Sequence, residues 1–259
     1  MKRLLVFLSI MIVGILGGTV SAKELPKIKS ILTTLDTMME LKSDLTAKVA
    51  ITEEKLNQGV KKYDALYYRS DSKDSFLVVM LGPASEKGNG YLKIGDNMWM
   101  YKQNTRTFQH IGRDESIGGS DLKSGDVEER KLAVDYKAVL DKKTGAEMIT
   151  EEKLGDILVY KIELIAQVSD VSYPKKIYWV RQDNSLPLKE QAFSLSGTLM
   201  ETIYYLKYTT ISGKYFCIKM RIDDEFEKGN KSLVEISGIS LDKIDGKVFT
   251  QGYLESLSK

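Results

Sequence analysis

One histidine and one cysteine bound the chemistry open to this 259-residue chain. Cys217 cannot form an intramolecular disulfide, and His110 alone cannot supply a multi-histidine metal site or the usual zinc spacings. Imidazole-dependent catalysis has to use His110, with Asp114 as the nearby acid and Ser116 or Ser120 as the hydroxyl. That grouping describes an exported hydrolase acting on lipids. Against it, the chain has no Gly-x-Ser-x-Gly elbow, and these residues sit on or beside a loop without a recognisable oxyanion feature. The carboxylate pairs Glu151-Glu152 and Asp223-Asp224 are adjacent in strands, where neighbours point to opposite faces, so they read as solvated edges. The balance favours a protein that is not an enzyme, and no metal or cofactor is expected.

The elements that could position a site begin after the first 22 residues. Lys2 and Arg3 form a positive n-region, residues 4–16 an apolar h-region, and Val20-Ser21-Ala22 places small residues where a signal peptidase cuts. An uncleaved anchor is the alternative, but a span usually needs ~18–20 apolar residues and this run is broken by Gly14, Gly17 and Gly18. The expected division is therefore a cleaved signal peptide, 1–22, and one domain, 23–259. No cysteine follows the h-region, so no amino-terminal lipid is expected. Losing Lys2 and Arg3 takes 38 basic residues to 36, equal to the 36 acidic ones, and the formal charge from +2 to 0. That balance argues against a nucleic-acid partner, which needs an uncompensated basic surface. With 42% hydrophobic and 29% charged residues, the composition is that of a globular protein rather than a disordered one.

The mature chain opens on a helix. Ile28, Ile31, Leu32, Leu35, Met38 and Met39 recur at three- and four-residue spacing and make one apolar stripe. This stripe fits either a helix packed permanently on a core or one that plugs a cavity. From Asp44 the period falls to two, which predicts strands over 45–54, 61–69, 75–81, 90–94, 98–102 and 106–111. After a long connection, 112–130, the pattern resumes over 133–140, 146–154, 157–167, 175–181, 188–195, 199–208, 216–225 and 232–241. Within the connection, Gly118-Gly119-Ser120-Asp121 leads into a charged stretch read as helical. Short turns rich in Gly, Asn and Asp make neighbouring strands antiparallel. So many strands in one sheet must curl into a barrel, a half-barrel or a sandwich.

Several strands carry large groups on both faces: Met98 and Met100 on one, Trp99 and Tyr101 on the other, and likewise Ile177-Tyr178-Trp179-Val180. Both faces are then covered, or one lines a cavity. Which parity faces inward stays open, because a one-residue slip exchanges them.

The run Gly88-Asn89-Gly90-Tyr91-Leu92-Lys93-Ile94-Gly95-Asp96-Asn97-Met98-Trp99-Met100-Tyr101, then Asn104-Thr105-Arg106 and Gly119-Ser120-Asp121-Leu122, resembles the outer-membrane lipoprotein-sorting proteins related to the LolA-type periplasmic carrier. Asp183-Asn184-Ser185-Leu186-Pro187-Leu188-Lys189 with Gly197-Thr198-Leu199 is similar to a second signature of that group. The resemblance spans roughly Leu25 to Leu241. It implies an incomplete, strongly curved antiparallel β-barrel, a half-barrel, with a helical lid over an apolar cavity for acyl chains. On that reading the lid contributes Ile31, Leu32, Leu35, Met38 and Met39, and the sheet contributes Met98, Trp99, Met100, Tyr101 and Trp179. The implied protein is a periplasmic monomer whose partners are lipoprotein acyl chains or lipids, an inner-membrane transporter and an outer-membrane acceptor. An envelope adhesin or structural β-protein is the remaining alternative.

Overall fold

A computed structural model describes residues 24–128 and 130–257; the expected signal peptide lies outside them. Helix α1 (Ile28–Met39) comes first and buries Ile28, Ile31, Leu32 and Leu35, the stripe set by its 3.6-residue period. Six strands follow: β1 (Asp44–Lys55), β2 (Gly59–Ser70), β3 (Ser75–Gly82), β4 (Gly90–Ile94), β5 (Asn97–Lys102) and β6 (Thr107–His110). A long connection, residues 111–131, then reaches a single helical turn, α2 (Leu132–Asp135), and the short strand β7 (Tyr136–Ala138). Next come β8 (Ile149–Leu154), β9 (Ile157–Ala166), β10 (Lys175–Arg181), β11 (Pro187–Phe193), β12 (Leu199–Ile211), β13 (Lys214–Asp224) and β14 (Lys231–Ser240). The described chain closes with α3 (Gln251–Ser256).

All these strands form one open, curled antiparallel sheet in the order β6-β5-β4-β3-β2-β1-β14-β13-β12-β11-β10-β9-β7, with β8 also on β9. The two ends of the chain's meander meet in the middle, where β1 pairs with β14. The free edges are β6 on one side and β7 with β8 on the other. Residues 111–131 run from one edge to the other, so this segment straps the open side of the half-barrel. The fold class expected from the sequence is the observed one.

Two expected elements differ. Residues 133–140, read as strand, begin with the helical turn α2 because both oxygens of Asp36 on α1 accept from the Leu132 and Ala133 amides, at 3.0 and 2.9 Å. That cap comes from almost a hundred residues away and leaves no local trace. The stretch read as helical within 112–130 is a single 3-10 turn, Ser124–Val127, in an otherwise irregular strap.

Along most strands the side chains alternate between two faces, with register shifts where β1 meets β14 and β12 meets β13. The inner face collects Leu45, Ala47, Val49 and Ile51 of β1, Tyr63, Ala65 and Tyr67 of β2, and Ile203, Ile222 and Val234 from the other half. Ile111, Ile117 and Leu122 of the strap complete that cluster. A second inner cluster forms where α1 lies on Tyr160, Ile162, Leu164, Tyr178 and Val180 of β9 and β10. On the outer face, Ile244, Val248, Phe249 and Leu254 of the carboxy-terminal segment cover Leu77, Val79, Leu92 and Tyr101. A smaller outer cluster holds Val159, Ile177 and Trp179. Among the described residues no helix is long and apolar enough to cross a membrane.

Candidate ligand cavity

Between the two inner clusters the packing is incomplete and leaves a cavity of about 300 Å3. Its apolar lining comes from α1 (Leu35 and Met39), the strap (Leu122 and Val127) and the sheet, chiefly Val49, Ile203, Phe216, Met220, Val234 and Ile236. The cavity exists because its walls belong to different layers: the helix and the strap rest on opposite halves of the curled sheet and do not fill the space between.

The strap is fixed at three places. Ile117 is almost fully buried, and the turn after it places Gly118 at φ +65, where a Cβ would come within 2.9 Å of Met80 Cε and 3.1 Å of the Tyr63 ring. Glycine is required there both for the left-handed backbone and for the close approach. The Gly118 amide donates to the Tyr91 hydroxyl at 2.7 Å. Further on, Arg113 makes a two-point contact to Glu128 at 2.7 and 3.2 Å, Lys93 of β4 reaches the same carboxylate at 3.1 Å, and Lys93 also pairs with Asp74. At the far edge Arg130 binds Asp135 of α2 at 2.6 Å, and Arg113 and Arg130 share Asp170 from the β9–β10 loop. This ionic belt joins both halves of the sheet through the strap.

The cavity lining also has a polar part, beside Ile203. Lys176 of β10 donates to Glu190 of β11 at 2.6 Å, and the Tyr205 hydroxyl donates to the other oxygen of Glu190 at 2.7 Å. Burial opposes the charge on both partners, but each outweighs it for the other: Glu190 is held below the ordinary carboxylate range and Lys176 well above the ordinary ammonium range. The pair is therefore ionised. Nearby, Lys123 of the strap contacts Tyr173 and Glu201, the Glu201 contact at 3.2 Å, and the Tyr173 hydroxyl donates to Glu201 at 2.9 Å. Asp126, also on the strap, lines the cavity, and its carboxyl is raised to about 7, first by desolvation and then by Glu201. The side chain is exposed, and one of its carboxylate oxygens accepts from the Lys123 amide at 2.8 Å. Burial pushes the Cys217 thiol, on the same lining, up to about 11.

The ten residues expected at a ligand site fall into separate places. Leu35 and Met39 line the cavity. Ile31 and Leu32 are buried beside it in the α1 cluster, and Met38 is half-buried. Met98 and Met100 face inward and pack in the β1–β6 half, whereas Trp99 and Tyr101 face outward under the carboxy-terminal segment. Trp179 lies in the outer cluster and donates to Glu152 at 3.0 Å. The parity left open by the sequence is thus settled at β5. Lys176, Glu190, Tyr205 and Asp126 are residues that the sequence reading missed. The elements of the hydrolase alternative do not converge: exposed His110 lies 3.4 Å from Asn97, and the buried Ser120 hydroxyl donates to the Ile117 carbonyl at 2.7 Å.

Residues 72–256 match the model of a protein family described as "Uncharacterized protein". The chain belongs to that family. No curated protein matches it by sequence. Among solved structures it is similar to a LolA superfamily protein from Nitrosomonas europaea, with 24% identity and a TM-score of 0.74 over 88% of this chain and 100% of that one. It is also similar to a putative outer membrane lipoprotein-sorting protein domain from Vibrio parahaemolyticus, at 16% identity and TM-score 0.75, covering 88% of this chain and 97% of that one. A DUF1329 family protein from Desulfovibrio piger matches at 20% identity and TM-score 0.75, over 87% and 97% of the two chains. These likenesses establish a LolA-like fold.

Proposed function

We propose that the exported protein is a periplasmic carrier that shields acyl chains of lipoproteins or other lipids in this cavity on the way to the outer membrane. The observation that carries the reading is an apolar-walled cavity under a helix and a strap. Its volume of about 300 Å3 falls at the lower end of the range of small-molecule sites, ~300–1,000 Å3. Moving an acyl chain through water costs about 0.8 kcal/mol per exposed CH2 group, so a soluble escort must bury the chain and yet release it. A cavity walled partly by a helix and a strap serves both needs, because each can exchange its own apolar contacts for those of the ligand. The likeness to a LolA superfamily protein and to a lipoprotein-sorting domain supports the same reading. Loading from an inner-membrane transporter and delivery to an outer-membrane acceptor complete the proposal, and the chain acts without catalysis. Titrating the purified protein with an environment-sensitive fluorescent fatty-acyl probe tests it: saturable binding near one probe per chain supports the carrier, and no saturable binding overturns it.

A further inference from the structure

A cavity meant only for hydrocarbon has no use for an ion pair in its wall. Lys176 and Glu190 have side chains only 18% and 2% exposed, and charges withdrawn from water this far recover their desolvation only with good geometry and further hydrogen bonds. Here the pair retains bonding capacity toward the cavity that it lines. The Lys176 ammonium has three donors, one of them directed at Glu190. The Glu190 carboxylate has about four acceptor positions and receives Lys176, Tyr205 and Tyr178, which leaves about one for a ligand. Its surroundings also fix the charge of what it can accept. Five carboxyl groups, Asp36, Asp126, Glu128, Asp135 and Glu190, line the cavity beside four cations, Arg69, Arg113, Arg130 and Lys176, and the Lys123–Glu201 pair stands close by. An anionic head entering this space meets repulsion from the carboxylates, whereas a neutral group able both to accept from Lys176 and to donate to Glu190 meets none.

We infer that the polar wall centred on Lys176 and Glu190 binds the neutral hydroxyl- or amide-bearing head of a lipid whose chain lies along the apolar wall of α1 and the central strands. The inference rests on the carrier reading and adds the chemical class of the cargo and its head-inward orientation.

The test is displacement of the bound fluorescent acyl probe at pH 8 by 1-monolauroylglycerol, laurate and methyl laurate, all below their micelle-forming concentrations. The glyceride should displace the probe at about tenfold lower concentration than laurate or the methyl ester. Glu190→Gln leaves Lys176 unopposed and should reverse the order, so that laurate displaces best. Should that variant fail to fold, the double replacement Lys176→Met with Glu190→Leu exchanges the pair for apolar groups, and the three competitors should become equivalent within about twofold. Equal displacement by the glyceride and laurate in the unmutated protein, or an unchanged preference in the double variant, overturns the inference while leaving the carrier intact. Absence of probe binding in the unmutated protein overturns both.

Discussion

Val49 offers a substitution whose sign depends on whether the cavity exists. It sits in mid-strand on β1, faces inward, lines the cavity, and is flanked across the ladder by Ala65 and Ile236. Val49→Phe adds about four carbons, worth at most about 3 kcal/mol at ~0.8 kcal/mol per buried CH2. Ordering of the ring and imperfect fit reduce this to about 1 kcal/mol. In a chain of this size about 1 kcal/mol is a rise of about 2–4 °C in melting temperature. In a fully packed core the same change would overpack and cost about 1–3 kcal/mol. The small Ala65 next to the site gives the ring room to turn toward the void. Differential scanning calorimetry and acyl-probe titration on the same preparations read both consequences: an unchanged or raised melting temperature, and at least tenfold weaker probe binding. A fall of 4 °C or more with unaltered probe binding would refute the reasoning, because it would mean that the space is closed and that ligand binds elsewhere.

Three further outcomes are expected. The raised Asp126 carboxyl means that the folded protein holds this proton more tightly than the unfolded one; the stabilisation is complete below about pH 4 and is lost as pH rises toward about 7. Melting temperature should therefore fall between pH 5 and pH 8, and Asp126→Asn should flatten the profile, with Glu201, Lys123 and Lys176 as the neighbouring charges that remain. Leu35→Glu places an unpaired charge at a side chain that is only 4% exposed, and circular dichroism melting should show a loss of several kcal/mol, about 10 °C or more. His110→Ala removes an exposed ring from the edge strand, and probe affinity and melting temperature should stay within experimental scatter of the parent.

How much of this was legible in the sequence follows from where each signal resides. The α1 stripe and most strands were readable because their periods are written in adjacent residues; β4 and β10 match residue for residue. The α2 turn was not, since its cap is Asp36 on another element. The inward parity of β5 could not be read locally either. It follows from the carboxy-terminal segment, whose Ile244, Val248, Phe249 and Leu254 claim Trp99 and Tyr101 for the outer face. That segment itself passed unnoticed because its helical turns are short and one contains Gly252. Lys176 and Glu190 were missed because charges in an alternating strand read as solvent-facing. Their parity carried the signal: Lys176 shares a face with Tyr178 and Val180, and Glu190 stands opposite Tyr178 and Ile203.

The central claim is that this cavity carries lipid in the cell envelope. Mass spectrometry of lipids and acylated peptides that co-purify with the protein from its own envelope tests it most directly, with Val49→Phe prepared in parallel. The carrier account predicts a defined acyl species near one per chain in the parent and its depletion in Val49→Phe. A parent protein that comes out of the envelope free of acyl species, or a Val49→Phe variant that retains the same load, would contradict it.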